Sequence, residues 1–289
     1  MSEKNVDEVS GVETTGHEWD GIKELNNPLP RWWLWTFYAS ILFAIGYVIV
    51  YPAIPLATEN TKGIWNYSSR GAVATEMAKA QAEKAEVLDK IVSASLDEIR
   101  TDQNLFQFAT AGGASAFKVY CSQCHGSGAA GSPGFPNLND DDWIWGGSVE
   151  AIETTLQHGV RFEADEDTRI SDMPAFGVDA ILSRAEIADV VEHVLKLSDQ
   201  EFNAEAADRG AVVYADNCAA CHGDNGEGVP DVGAPRLSDP IWLYGGSRAD
   251  LIAQINRPQQ GVMPGWGQRL DPATIKQLAI YVHGLGGGQ

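Results

Sequence analysis

Two pentapeptides hold all four cysteines of the chain: Cys121-Ser122-Gln123-Cys124-His125 and Cys218-Ala219-Ala220-Cys221-His222. In a Cys-x-x-Cys-His run the two thiols stand one helical turn apart. That spacing lets both add covalently to the vinyl groups on one edge of a porphyrin, and the adjacent His then supplies the proximal nitrogen to the iron. The alternative chemistry is a pair of Cys-x-x-Cys zinc or redox sites. It fits less well, because zinc wants four converging ligands and a thioredoxin-like pair wants a βαβ context.

A c-type iron takes Met sulfur or a second His on its far face. Of the four methionines, Met1 is the first residue and Met77 lies in an Ala/Glu/Lys-rich stretch. The other two share a context: Met173-Pro174-Ala175-Phe176-Gly177 and Met263-Pro264-Gly265-Trp266-Gly267. Proline fixes the backbone and stops a helix, so each thioether is offered from a loop. A core gap-filling role is the competing reading for one such Met, but the same motif twice, each downstream of its own haem run, favours ligation. His158, in Leu156-Gln157-His158-Gly159, is the rival to Met173; His193 reads as packing, and His17 and His283 have no supporting context.

These residues belong to an internal duplication. Gly113 and Phe117 precede the first haem run as Gly210 and Tyr214 precede the second, where a short helix would place Gly at a close helix crossing and the aromatic against it. Asn137 to Ser148 aligns with Arg236 to Ser247, carrying Trp143 and Trp242 to equivalent positions. The tryptophans read as core packing, the alternative being an indole N–H contact to haem propionates. Each repeat closes with an amphipathic helix. Ile187, Val190, Val191, Val194 and Leu195 form the apolar face of one; Ile275, Leu278, Ala279 and Val282 form that of the other. The first repeat is longer through the acidic stretch 162–168, expected as a surface loop.

The elements ahead of the repeats set their location. Residues 1–30 are polar and acidic, and read as a flexible tail with no core of its own. From Trp32 to Thr58 there is no charged residue, and Trp/Tyr clusters flank the run, as at the two interfaces of a bilayer. A cleaved signal peptide is the competitor, weakened by the acidic lead-in and the length of the apolar core. Lys23 and Arg31 on one side balance Lys62 and Arg70 on the other, so charge leaves the orientation close to a tie. Residues 72–100 have strong helix-former composition and read as a solvated connector. The net charge of −20 argues against nucleic acid. Residues 101–289 carry 26 Asp/Glu against 11 Lys/Arg, an acidity that serves either solubility or the steering of a basic partner.

The segment His17-Glu18-Trp19-Asp20-Gly21-Ile22-Lys23-Glu24-Leu25-Asn26-Asn27-Pro28-Leu29-Pro30-Arg31-Trp32-Trp33 resembles the N-terminal signature of the CcoP/FixP family, the di-haem subunits of cbb3-type cytochrome c oxidases. The order of one anchor, a connector and two haem runs matches over essentially the whole chain. Some members carry two membrane helices; this sequence shows one.

The resemblance implies a mainly α fold: tail 1–30, transmembrane anchor 31–57, helical linker 58–107, and two tandem class I cytochrome c domains at 108–199 and 205–289. It implies two haem c groups, held covalently by Cys121, Cys124, Cys218 and Cys221 and axially by His125, Met173, His222 and Met263. Which Met faces which iron stays open: pairing within each repeat is the default, and exchange between adjacent domains is the alternative. The implied setting is the bacterial inner membrane, with haem domains in the periplasm and the N-terminus in the cytoplasm. The implied role is non-catalytic electron transfer from a donor cytochrome c to the mono-haem CcoO/FixO subunit and the haem–copper subunit CcoN/FixN, with CcoQ/FixQ as a further small subunit. A free-standing membrane-anchored carrier and a di-haem peroxidase are the readings from other classes. Two matched Met loops speak against the peroxidase, which needs one open iron site.

Overall fold

A computed structural model describes residues 5–287; residues 1–4 of the tail and 288–289 of the second repeat lie outside the described residues. The fold is mainly α and divides into two compact units, 1–83 and 84–289.

In the first unit the tail is not featureless. Strands β1 (Thr14–Trp19) and β2 (Ile22–Leu25) pair antiparallel across Asp20-Gly21, both with positive φ. Asp-Gly is the two-residue turn whose twist matches a hairpin, and it overrides the polar composition that suggested a flexible segment. Helix α1 (Arg31–Val50) has no buried residue among its 20 and is long and apolar enough to cross a bilayer. The helix stops short of the apolar run's end because Pro52 disfavours helical backbone at Tyr51. The chain then folds back: Ile64 and Trp65 donate their N–H groups to the carbonyls of Ile49 and Val50. Tyr51 packs edge-on to Trp65 and Tyr67 at the same end.

Helix α2 (Ser69–Ser93) follows as composition predicts. Its last turns are not solvated: Ile91 is buried, as are Leu96 and Ile99 of α3 (Leu96–Thr101). A capping box of Ser95 and Glu98 starts α3, and Asp102 caps α4 (Gln103–Tyr120).

The remaining helices are α5 (Ser122–His125), α6 (Val149–His158), α7 (Arg184–Leu197), α8 (Ala204–Asn217), α9 (Ala219–His222), α10 (Arg248–Asn256) and α11 (Pro272–His283). The predicted apolar faces of α7 and α11 are buried. What they bury against follows a less obvious plan. Helix α11, which closes the second repeat, packs on α4 and α6 of the first; α7, which closes the first repeat, packs on α8 and α10 of the second. Two cores result, one around Phe117, Leu156 and Leu278, the other around Tyr214, Leu251 and Val190.

The glycines explain the crossings. A Cβ on Gly113 would lie 2.1 Å from the Gln277 carbonyl oxygen, and one on Gly210 would lie 2.0 Å from that of Asp189. Gln277 and Asp189 are equivalent positions of the closing helices, so the two crossings repeat one geometry. Phe117 meets Tyr281 at 5.5 Å between ring centres, and Tyr214 meets His193 at 5.0 Å. His193 thus packs, as expected. The second crossing is pinned further by Glu192 of α7, which accepts from Arg248 of α10 and from the N–H of Asn203 at the start of α8.

Gly113→Ala and Gly210→Ala should each lower stability by about 1–3 kcal/mol, the usual cost of forcing atoms into a packed contact. Gly128→Ala, where a Cβ meets nothing within 4 Å, should cost under about 0.5 kcal/mol. Thermal unfolding of the three variants checks the order.

Candidate haem sites

Each Cys-x-x-Cys-His run forms one helical turn continuing its parent helix. The N–H groups of Cys124 and His125 bond the Cys121 carbonyl at 3.1 and 3.0 Å, and those of Cys221 and His222 bond the Cys218 carbonyl at 3.1 and 2.9 Å. The turn aims both thiols of a pair to one side. Cys121 is buried and Cys218 half-buried, while Cys124 and Cys221 are exposed. Burial pushes the Cys121 and Cys218 thiols up to about 11, opposite to the depression that a redox-active thiolate needs.

The histidines are oriented by a contact that the sequence alignment stopped one residue short of finding. His125 Nδ1 donates to the Pro136 carbonyl at 3.0 Å, and His222 Nδ1 donates to the Pro235 carbonyl at 2.9 Å. Pro136 and Pro235 immediately precede the aligned segments that begin at Asn137 and Arg236. With Nδ1 carrying the proton, Nε2 keeps its lone pair for a metal. Burial lowers both imidazole pKa values, which holds the rings neutral as ligation requires.

The methionine loops carry the exchange seen in the helices. Met263, from the second repeat, lies against the first core. Its backbone pairs with Val160, N–H to carbonyl in both directions at 2.9 and 3.0 Å. Trp266 and Gly267 donate to the carbonyls of Leu156 and Gln157 at the end of α6. Gly159 is required there, with φ of +71° and the Met263 carbonyl 2.3 Å from where a Cβ would sit. Met173, from the first repeat, lies against the second core. Val178 donates to the Asn256 carbonyl at the end of α10, and Gly177 abuts the Asn256 side chain. Each loop therefore docks on the helix that follows the other repeat's haem run.

Other candidates fall elsewhere. His158 faces Asp165 of the acidic loop at 3.1 Å, His17 pairs with Glu24 across the hairpin, and the Trp143 indole donates to the Gly287 carbonyl, leaving that N–H engaged by protein. Trp143 and Trp242 each pack on their core, as the packing reading expects. Where the repeats abut, Gly134 donates to the Leu243 carbonyl and the Trp145 ring covers Gly233.

Family models match two parts of the chain. The model for the N-terminal domain of cytochrome oxidase-cbb3, FixP, matches residues 11–58. The model for cytochrome c oxidase, cbb3-type, subunit III matches residues 108–194 and 205–282. The chain belongs to the cbb3-type subunit III family. The FixPc subunit of Rhizobium leguminosarum bv. viciae is 52% identical over 288 residues, covering 100% of both chains. The FixP subunit of Rhizobium meliloti (strain 1021) is 53% identical, covering 99% of this chain and 98% of its own. The CcoP subunit of Cereibacter sphaeroides is 51% identical, covering 96% and 95%. Subunit III domains bind haem c, and the residues here fit that group: paired thiols on one turn, a neutral His with Nε2 available, and a loop-borne thioether against each core.

One acidic cluster at the repeat junction has a pH signature. Asp142 is pushed up to about 6, first by burial and then by the facing charges of Asp239 and Asp140. Its folded pKa lies above the model-peptide value near 3.8, so the folded chain binds the proton more tightly. The contribution of Asp142 to stability should fall as pH rises from about 4 to about 6 and stay level above. Asp142→Asn should raise stability at pH 7 by about 1–2 kcal/mol, after discounting for residual solvent. It should change little at pH 3.5, as denaturant titrations at the two pH values will read.

Proposed function

We propose that this chain is the di-haem electron-transfer subunit of a cbb3-type cytochrome c oxidase. It carries two haem c groups, takes electrons from a donor cytochrome c, and delivers them to CcoO/FixO and thence to the haem–copper site of CcoN/FixN. The observation that carries the reading is the twofold repetition of one constellation: a Cys-x-x-Cys-His turn, a His fixed by a proline carbonyl, and a methionine loop docked against the same core. When bound, haem c would supply one-electron transfer, and a His and a Met held on its iron would leave no site for oxygen or peroxide. Cys121 and Cys124 hold one group and Cys218 and Cys221 the other, with His125 and His222 as proximal ligands.

The distal ligands are assigned across the repeats: Met263 with His125, and Met173 with His222. The support is the docking of each Met loop on the other repeat's helix and core. Thioether ligation and apolar burial both favour the ferrous state, which suits the oxidising end of a respiratory chain. Helix α1 anchors the chain in the inner membrane. With covalent haems placed in the periplasm, the N-terminal hairpin is cytoplasmic. The acidic surface steers a basic donor, an attraction weakened by salt.

Met263→Leu and Met173→Leu should each keep covalent haem and lower one of the two reduction potentials. The pairing is read in a Cys218→Ala/Cys221→Ala chain carrying only the first haem. There Met263→Leu should abolish the weak sulfur-to-iron absorption band and Met173→Leu should leave it; the reverse result returns each Met to its own repeat.

A further inference from the structure

One side chain grips both methionine loops from outside them. Arg161 Nε donates to the Gly261 carbonyl at 2.7 Å, and its Nη1 donates to the Ser171 carbonyl at 3.0 Å. Gly261 and Ser171 each stand two residues before their methionine, so one guanidinium grips the same point of both loops. Its planar fork suits two carbonyls held at fixed separation, a job a lysine ammonium does less rigidly. The backbone is committed to it as well. Arg161 has φ of +52°, a left-handed conformation that costs a non-glycine residue energy and is kept where the surroundings over-determine it. Val160, next to it, is the residue that pairs with Met263. The duplication does not repeat the device: the position equivalent to Arg161 is Gln260, which lies three residues before Met263 and adds a single bond between the loops by donating to the Met173 carbonyl at 3.2 Å.

We propose that Arg161 is a positioning residue shared by both haem sites, holding the Met173 and Met263 loops against their irons together. This rests on the assignment of both methionines as distal ligands. Loss of the guanidinium loosens both loops, and an external ligand then displaces either thioether more readily.

Arg161→Gly isolates the side chain, since glycine accepts the left-handed backbone without strain. The experiment measures imidazole binding to the ferric full-length chain, with each haem read separately. Met173→His and Met263→His serve as backgrounds, each filling one distal site with a non-displaceable ligand. Adding Arg161→Gly should raise imidazole affinity about tenfold in both backgrounds, the scale of one charge-assisted hydrogen bond lost. Haem content and thermal midpoint should hold, and Arg161→Lys should recover part of the effect. A rise in only one background, or in neither, overturns the shared role. If instead a Met→His variant keeps both sulfur-to-iron bands, the ligand assignment has failed and not the coupling.

Discussion

Two helix crossings at backbone contact distance govern the haem-bearing half of the molecule. At Gly113 against Gln277, and at Gly210 against Asp189, there is no room for a Cβ. Close approach of this kind brings α11 deep enough to bury Leu278 and Ala279 completely, and α7 deep enough to bury Val190 and Val191. Each crossing joins helices from different repeats. Two sequence repeats that would each make a small, marginal core instead exchange their closing helices, so each core draws on both repeats.

The sites inherit their order from that plan. A helical turn sets the thiols, a proline carbonyl sets the imidazole tautomer, and the crossing sets which loop faces which core. The first two are local and use residues within 13 positions of one another. The third is long-range and cooperative with the fold. Gly177 and Gly267 mark where the loops press on Asn256 at the end of α10 and on Gln157 at the end of α6, which is why each Met-Pro-x-aromatic-Gly motif ends as it does. Local chemistry and global topology are thus specified by different residues a short distance apart.

That division also explains what could be read from the sequence. Covalent motifs, loop-borne methionines, amphipathic closing helices and the small residue at each crossing all leave a periodic or compositional mark. The crossing partner leaves none. In a duplicated chain the apolar faces of α7 and α11 are interchangeable in pattern, so α4 and α8 have two equally suitable mates. Specific contacts such as Glu192 with Arg248 favour one mate over the other, and periodicity does not register them. The hairpin at 14–25 is masked for a different reason: only the Asp20-Gly21 turn marks it within a polar, acidic stretch. The proline carbonyls act through the backbone, which leaves no side-chain pattern.

The exchange has a consequence for how the molecule is made. Trp143, beside the first haem run, is hydrogen-bonded to Gly287, 144 positions later, and the wall of the first core is α11. As the polypeptide emerges, the earlier attachment turn must wait open until the last helix arrives, whereas the later turn finds its wall, α7, already synthesised. Contacts this distant in sequence close slowly. A released chain ending at Asn256 would therefore lack the wall of the earlier pocket while keeping most of the elements of the later one, the inverse of what a beads-on-a-string cytochrome would do.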